Sequence, residues 1–145
     1  MKVVKFGGSS LADAAQIKKV CDIVLSDPSR KIMVVSAPGK RFDADTKVTD
    51  MLIALAYKCM AGEDYKKPLD EVVGRYASIA EDFNLGTEIV DRIRTDLQGR
   101  IHNRPSEDDK FMDLMKAAGE DNSAKIVAVY LQSLGVKAKY VNPKE

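Results

Sequence analysis

The sequence predicts an α/β fold: a mostly parallel sheet with helices packed on both faces, and a long helical insertion. Two short apolar runs of strand length, one beginning at Lys2 and one over 31–36, flank a segment of helical spacing. Strand, helix and strand in that order form a right-handed βαβ unit whose strands are expected to be buried in a parallel sheet. From about residue 57 to 117 the apolar positions follow helical intervals only, and a last apolar stretch over 136–142 predicts a third strand.

Length and composition narrow the possibilities. At 145 residues, 45% hydrophobic and 31% charged, the chain has the size and balance of one soluble globular domain. Lys plus Arg total 23 against 22 Asp plus Glu. That balance offers no electrostatic case for nucleic acid or an acidic membrane, so any bound anion must be held locally. Cys21 and Cys59 lie far apart in apolar helical patterns with a single histidine, His102, and make no metal-ligand spacing. They read as reduced core residues. The amino terminus has no uninterrupted apolar signal region and no later run reaches membrane-spanning length, so a cytoplasmic protein is expected.

The first strand ends in Lys5-Phe6-Gly7-Gly8-Ser9-Ser10. Glycine permits unusual dihedrals and close approach, and a following helix brings unsatisfied amides and the positive end of its dipole to the same place. A phosphate fits such a turn. A plain βα connection, with Lys5 as a solvated strand-end charge, fits it equally. Leu11, Ala14, Ile17, Val20, Cys21 and Val24 then give one face of a helix over about 10–25, ended by Asp27-Pro28. After the second strand, residues 37–47 lack periodicity and form a loop at the carboxyl edge of the sheet, where ligands bind in such folds. Helices are expected over 48–61, 68–83 and 88–103. The second is stopped by Asn84-Leu85-Gly86, and the third is capped by Thr87. Ser106 to Asp109 resembles a capping box opening another helix. Gly119 to Ser123 opens a separate, densely apolar one, with Gly135 as its left-handed cap. The methionines at 51, 60, 112 and 115 fall on core faces, and His102 lies at a polar helix end away from the loops.

Three loops converge in this reading: Lys5 to Ser10, Val35 to Lys40 and Ala118 to Ser123. With the Lys-Phe-Gly-Gly signature at the amino terminus, Val35-Ser36-Ala37 at the second strand, Thr49 in the following helix, the long insertion and Gly119-Glu120 in that order, the whole chain resembles the aspartate kinases of the amino-acid kinase family. The resemblance implies transfer of the γ-phosphoryl group of ATP, with Mg²⁺, to the side-chain carboxylate of L-aspartate. That reaction is the first step towards lysine, threonine and methionine. By the same resemblance Lys5 is catalytic, Lys5, Gly7, Gly8 and Ser9 hold phosphate, and Ser36, Thr49 and Glu120 bind aspartate, with Glu120 facing its ammonium group. Each of the last three also has a structural reading: Ser36 as a strand-end turn former, Thr49 as a helix cap, Glu120 as a first-turn carboxylate.

Members of the family are much longer. The chain is therefore expected to be the amino-terminal, amino-acid-binding portion of the catalytic domain, over 1–145. The nucleotide half and the regulatory domains would lie outside it, and the fragment alone would be inactive. The full protein is expected to be a homo-oligomer. Two other readings remain open: a relative acting on acetylglutamate, glutamate, carbamate or a nucleoside monophosphate, and a non-catalytic module that binds an anion or partner.

Overall fold

A computed structural model describes residues 1–144. Strands β1 (Lys2–Lys5) and β2 (Arg30–Val34) pair in parallel, with Val3 opposite Ile32, Val4 opposite Met33 and Lys5 opposite Val34. Between them a 3₁₀ turn (Gly8–Leu11) leads to helix α1 (Ala14–Leu25). Four helices follow β2: α2 (Val48–Met60), α3 (Lys66–Asp82), α4 (Glu88–His102) and α5 (Asp108–Ser133). The α/β reading with parallel strands is borne out, and so is the helical insertion.

Most of the core belongs to the helices. Helix α2 packs on α5 and α3, and α4 closes the group against α3 and α5. Leu52, Leu55, Val72, Tyr76, Ile93, Leu97 and Met115 are each fully enclosed. Full burial of one such aliphatic side chain is worth about 1.5–3 kcal/mol, so this cluster dominates the stability. Met51, Met60 and Met112 pack against the same cluster, as their spacing predicts. Among the described residues no helix is long and apolar enough to cross a membrane.

Several local expectations fail for physical reasons. The third strand does not form among the described residues: after the α5 cap, residues 136–142 run without a ladder partner. Gln132 donates to the carbonyl of Ala138, and the Tyr140 hydroxyl bonds to the Asp121 carboxylate, which tie this segment back to α5. Instead of a new helix starting at Gly119, α5 continues without a break through it. Gly119 is placed for packing, since a Cβ there would lie 2.6 Å from the Ala37 Cβ and 3.2 Å from Leu52 Cδ1. Neither Thr87 nor Ser106 caps with its side chain, and the cap of α5 is Glu107. The C-terminal signals do hold. Asn84 (φ 54°) and Gly135 (φ 82°) take left-handed positions. The amides of Leu85 and Val136 reach back to the carbonyls of Ala80 and Leu131, and those of Asn84 and Gly135 to Glu81 and Gln132, the paired bonds of a Schellman motif.

The helices cover one face of the two strands. On the other, Val3, Ile32 and Val34 remain 63%, 46% and 41% exposed, so among the described residues the sheet is open on the side that carries Lys5.

Cys21 and Cys59 are both buried free thiols, and burial pushes the Cys21 thiol up to about 11. Since only the thiolate reacts, neither is expected to be modified by an aromatic disulfide at mildly alkaline pH while the chain is folded. Both should react together on denaturation, and absorbance of the released thiol follows this. Reaction of either in the native protein would show that its helix opens locally.

Candidate functional site

The site is organised by four residues at the carboxyl end of β2. Ser36 Oγ donates to the Phe6 carbonyl at 2.9 Å, which joins the ends of the two strands beyond their ladder. Ala37 meets Gly119 of α5 at the contact described above. The Pro38 carbonyl accepts the Val48 amide at 2.9 Å, the first amide of α2. The Gly39 amide donates to the Gly8 carbonyl at 2.8 Å. Within four residues the chain touches the β1 turn, the start of α2 and the middle of α5, the three segments that carry the sequence-predicted residues.

Glycine at this junction serves close approach rather than left-handed backbone. Gly7 has φ −79° and ψ 174°, extended geometry open to any residue, and nothing lies within 4 Å of a Cβ built on it. Gly8 and Gly39 are in backbone contact: a Cβ on Gly39 would stand 2.7 Å from the Gly8 carbonyl carbon and 2.9 Å from the Ser9 nitrogen. The turn closes with a bond from the Ser10 amide to the Gly7 carbonyl at 3.1 Å. Among the described residues the amides of Gly7, Gly8 and Ser9 make no hydrogen bond and remain available as donors. The helix dipole expected directly behind them is displaced. Helix α1 starts only at Ala14, where Asp13 accepts the Gln16 amide at 2.9 Å and satisfies that end itself. The free donors at the turn are therefore loop amides, not those of a long helix.

Lys5 ends β1, solvent-exposed, opposite Val34. Thr49 is the second residue of α2 and half-buried; Lys47 occupies the cap position, so the capping alternative for Thr49 is not realised. Glu120 is exposed in the middle of α5, which removes the first-turn alternative. His102 lies exposed at the end of α4.

One polar residue near the site had no signal in the sequence. Arg75, on α3, shares a helix with a strong apolar face, yet it is only 6% exposed. Its guanidinium donates to the carbonyls of Gly39 (2.8 Å), Thr46 (2.7 Å) and Ala12 (3.3 Å), with the Asp45 carboxylate 3.7 Å away. Asp45 also receives the amide and side chain of Arg41, and these bonds hold its carboxyl well below the usual carboxylate range. Adjacent Tyr76, fully buried, donates its hydroxyl to the Gly119 carbonyl at 2.6 Å. On the far side of α5, Asp121 is held by Arg100 and Lys125, each at 3.1 Å, which fixes the helix next to Glu120.

Comparison with known proteins gives a consistent result. The sequence profile of the amino acid kinase family matches residues 1–145. Aspartokinase 3 of Bacillus subtilis is 52% identical over 145 residues, covering 100% of this chain and 32% of that protein. The chloroplastic bifunctional aspartokinase/homoserine dehydrogenase 1 of Zea mays is 32% identical, covering 99% of this chain and 16% of its own length. Among solved structures, the Clostridium acetobutylicum aspartate kinase superposes with a TM-score of 0.79 at 35% identity, over 90% of this chain and 29% of that one. The Escherichia coli aspartokinase III in complex with aspartate and ADP gives 0.73 at 27% identity, over 94% and 30%. The chain thus spans about a third of the Bacillus relative's length.

Proposed function

Because the chain belongs to the amino acid kinase family, we propose that it forms the acceptor side of an aspartate kinase, which transfers the γ-phosphoryl group of ATP to the side-chain carboxylate of L-aspartate. The observation that supports this reading is the Ser36–Ala37–Pro38–Gly39 junction, which touches the segments carrying Lys5 to Ser9, Thr49 and Glu120. Its support from relatives lies in the Escherichia coli structure, determined with aspartate and ADP.

Phosphoryl transfer asks a protein mainly to align two anionic reactants and offset their charge. In this reading the amides of Gly7, Gly8 and Ser9 receive phosphate oxygens, and Lys5 supplies a full positive charge at the transferring group. The exposed carboxylate of Glu120 takes the ammonium end of aspartate, because it would repel either carboxylate. The hydroxyls of Ser36 and Thr49 shape the carboxylate end. Ser36 is already committed as a donor to Phe6, so its free role is as an acceptor or through the position of its backbone. Residues corresponding to the remainder of the longer relatives supply the rest of the nucleotide pocket in this reading. Magnesium commonly travels with nucleotide phosphates. Among the described residues no group of three carboxylate, histidine or cysteine side chains could hold a metal.

The test is acyl-phosphate trapping. The intact protein, given ATP, Mg²⁺ and L-aspartate in the presence of hydroxylamine, is expected to yield aspartyl hydroxamate. Acetylglutamate, glutamate and carbamate should give no phosphorylated product. Product with one of these acceptors and none with aspartate would overturn the choice of substrate. Binding of aspartate with no transfer to any acceptor would favour the non-catalytic module.

A further inference from the structure

We propose that Arg75 and Tyr76, consecutive residues of the helical insertion, are positioning residues that set the two halves of the acceptor pocket against each other. The inference rests on the aspartate kinase reading for its substrate, but not for its geometry.

Neighbouring residues on an α-helix point about 100° apart. From one turn of α3, therefore, two side chains reach two different elements. Arg75 turns towards the loops and binds the carbonyls of Gly39, Thr46 and Ala12. These lie on both sides of the junction: Ala12 follows the Gly7-Gly8 turn, while Gly39 and Thr46 bound the loop that leads into Thr49. Tyr76 turns towards α5 and binds the Gly119 carbonyl, the residue beside Glu120. No backbone bond joins the 39–46 loop directly to α5 among the described residues. The loop meets α5 by packing, at Ala37 and through α2, and α3 adds the hydrogen-bonded link between the two.

The residue types suit the task. A planar guanidinium offers five donors in a fixed fork and keeps its charge even when buried, so it can hold three carbonyls of an irregular loop at once. Those carbonyls belong to no helix or ladder and would otherwise be costly to bury. The charge is offset by the Asp45 carboxylate, which Arg41 fixes in turn. A tyrosine hydroxyl buried at the centre of the helix group is a specific tether, because phenylalanine would fill the same space.

The experiment compares Arg75→Met, Arg75→Lys and Tyr76→Phe in the intact protein. Each is assayed at a temperature where circular dichroism shows it fully folded. For Arg75→Met, kcat/KM towards the acceptor is expected to fall about 100-fold, the scale of a misplacement of about 1 Å, with a rise in acceptor KM as part of the change. Arg75→Lys should recover little, because a point charge cannot replace the fork. Tyr76→Phe should raise acceptor KM about fivefold, the effect of one buried hydrogen bond. A purely structural role would instead lower the melting temperature and leave KM per folded molecule unchanged, which would overturn the proposal. Amide exchange provides a readout independent of the substrate. In Arg75→Met the amides of 39–46 should exchange faster while those of α4 and α5 do not. Uniform acceleration, or none, also overturns it. If the wild-type protein does not use aspartate, the proposed function fails, and the exchange result judges Arg75 by itself.

Discussion

Lys5→Ala in the intact protein is expected to lower kcat for aspartyl phosphate formation by about 10²–10³-fold, the range found when one preorganised donor is removed from a developing anion. The stability should hardly move. Lys5 is exposed at the last position of β1, and among the described residues its side chain forms no ion pair, so truncation leaves no orphaned partner. Surface replacements of that kind stay within about 0.5 kcal/mol. The separation between a large kinetic effect and an unchanged melting temperature is what distinguishes the phosphate-holding assignment from a solvated strand-end charge. Lys5→Arg should recover only part of the rate, because a forked guanidinium does not reproduce the compact ammonium. Steady-state kinetics with the hydroxamate assay decide the matter. Full activity in Lys5→Ala would remove the lysine from the mechanism and return the opening turn to a plain βα connection.

The open sheet face gives this prediction its setting. Val3, Ile32 and Val34 form an apolar strip beside Lys5. Parallel strands are ordinarily covered on both faces. In the proposed enzyme, the residues corresponding to the rest of the longer relatives would cover that strip and bring the donor nucleotide to the lysine. Lys5 would then lie at the seam between the two sides, where exclusion of water strengthens its interaction with phosphate.

How much could be read from the chain alone follows the range of the interactions. Apolar spacing marks the helical segments, though it divides α5 in two, because burial of one face imposes a local period, and Asn84 and Gly135 mark helix ends through a backbone preference of their own. Gly119, expected to start a helix, lies inside α5. A glycine followed by acidic and polar residues has the same local look whether it begins a helix or lets two elements touch, and Ala37, its partner, is 82 residues earlier in the chain. The stretch 136–142 has strand composition, but a strand exists only through a neighbour, and none pairs with it among the described residues. Arg75 was invisible for the same reason. Its partners are backbone carbonyls at positions 12, 39 and 46, and a carbonyl has no sequence signature. Of the predicted site residues, the structure gathers the segments that carry Lys5, Ser36, Thr49 and Glu120. It also replaces the helix dipole expected behind Gly8 with a 3₁₀ turn.

Gly39→Ala should be strongly damaging, and Gly7→Ala is its control. A Cβ on Gly39 would stand 2.7 Å from the Gly8 carbonyl carbon, 2.8 Å from its oxygen and 2.9 Å from the Ser9 nitrogen. All three are backbone atoms, so no side-chain rotation can relieve the clash. The loop must retreat, and two bonds weaken together: the Gly39 amide to Gly8 and the Arg75 guanidinium to the Gly39 carbonyl. Overpacking of this kind costs about 1–3 kcal/mol. The accompanying shift of the β1 turn relative to α2 should lower kcat/KM by about 100-fold or more. Gly7 differs in each respect, with an ordinary extended backbone and open space around its Cβ direction. Gly7→Ala should therefore leave the denaturation midpoint unchanged. If phosphate approaches the turn as proposed, the same methyl group should raise KM for ATP. Paired measurements of chemical denaturation and nucleotide KM separate the two glycines: one needed by the fold, the other by the ligand. Equal destabilisation by both would mean that the turn is packed more tightly than the geometry at Gly7 allows. An unchanged nucleotide KM in Gly7→Ala would place the phosphate elsewhere.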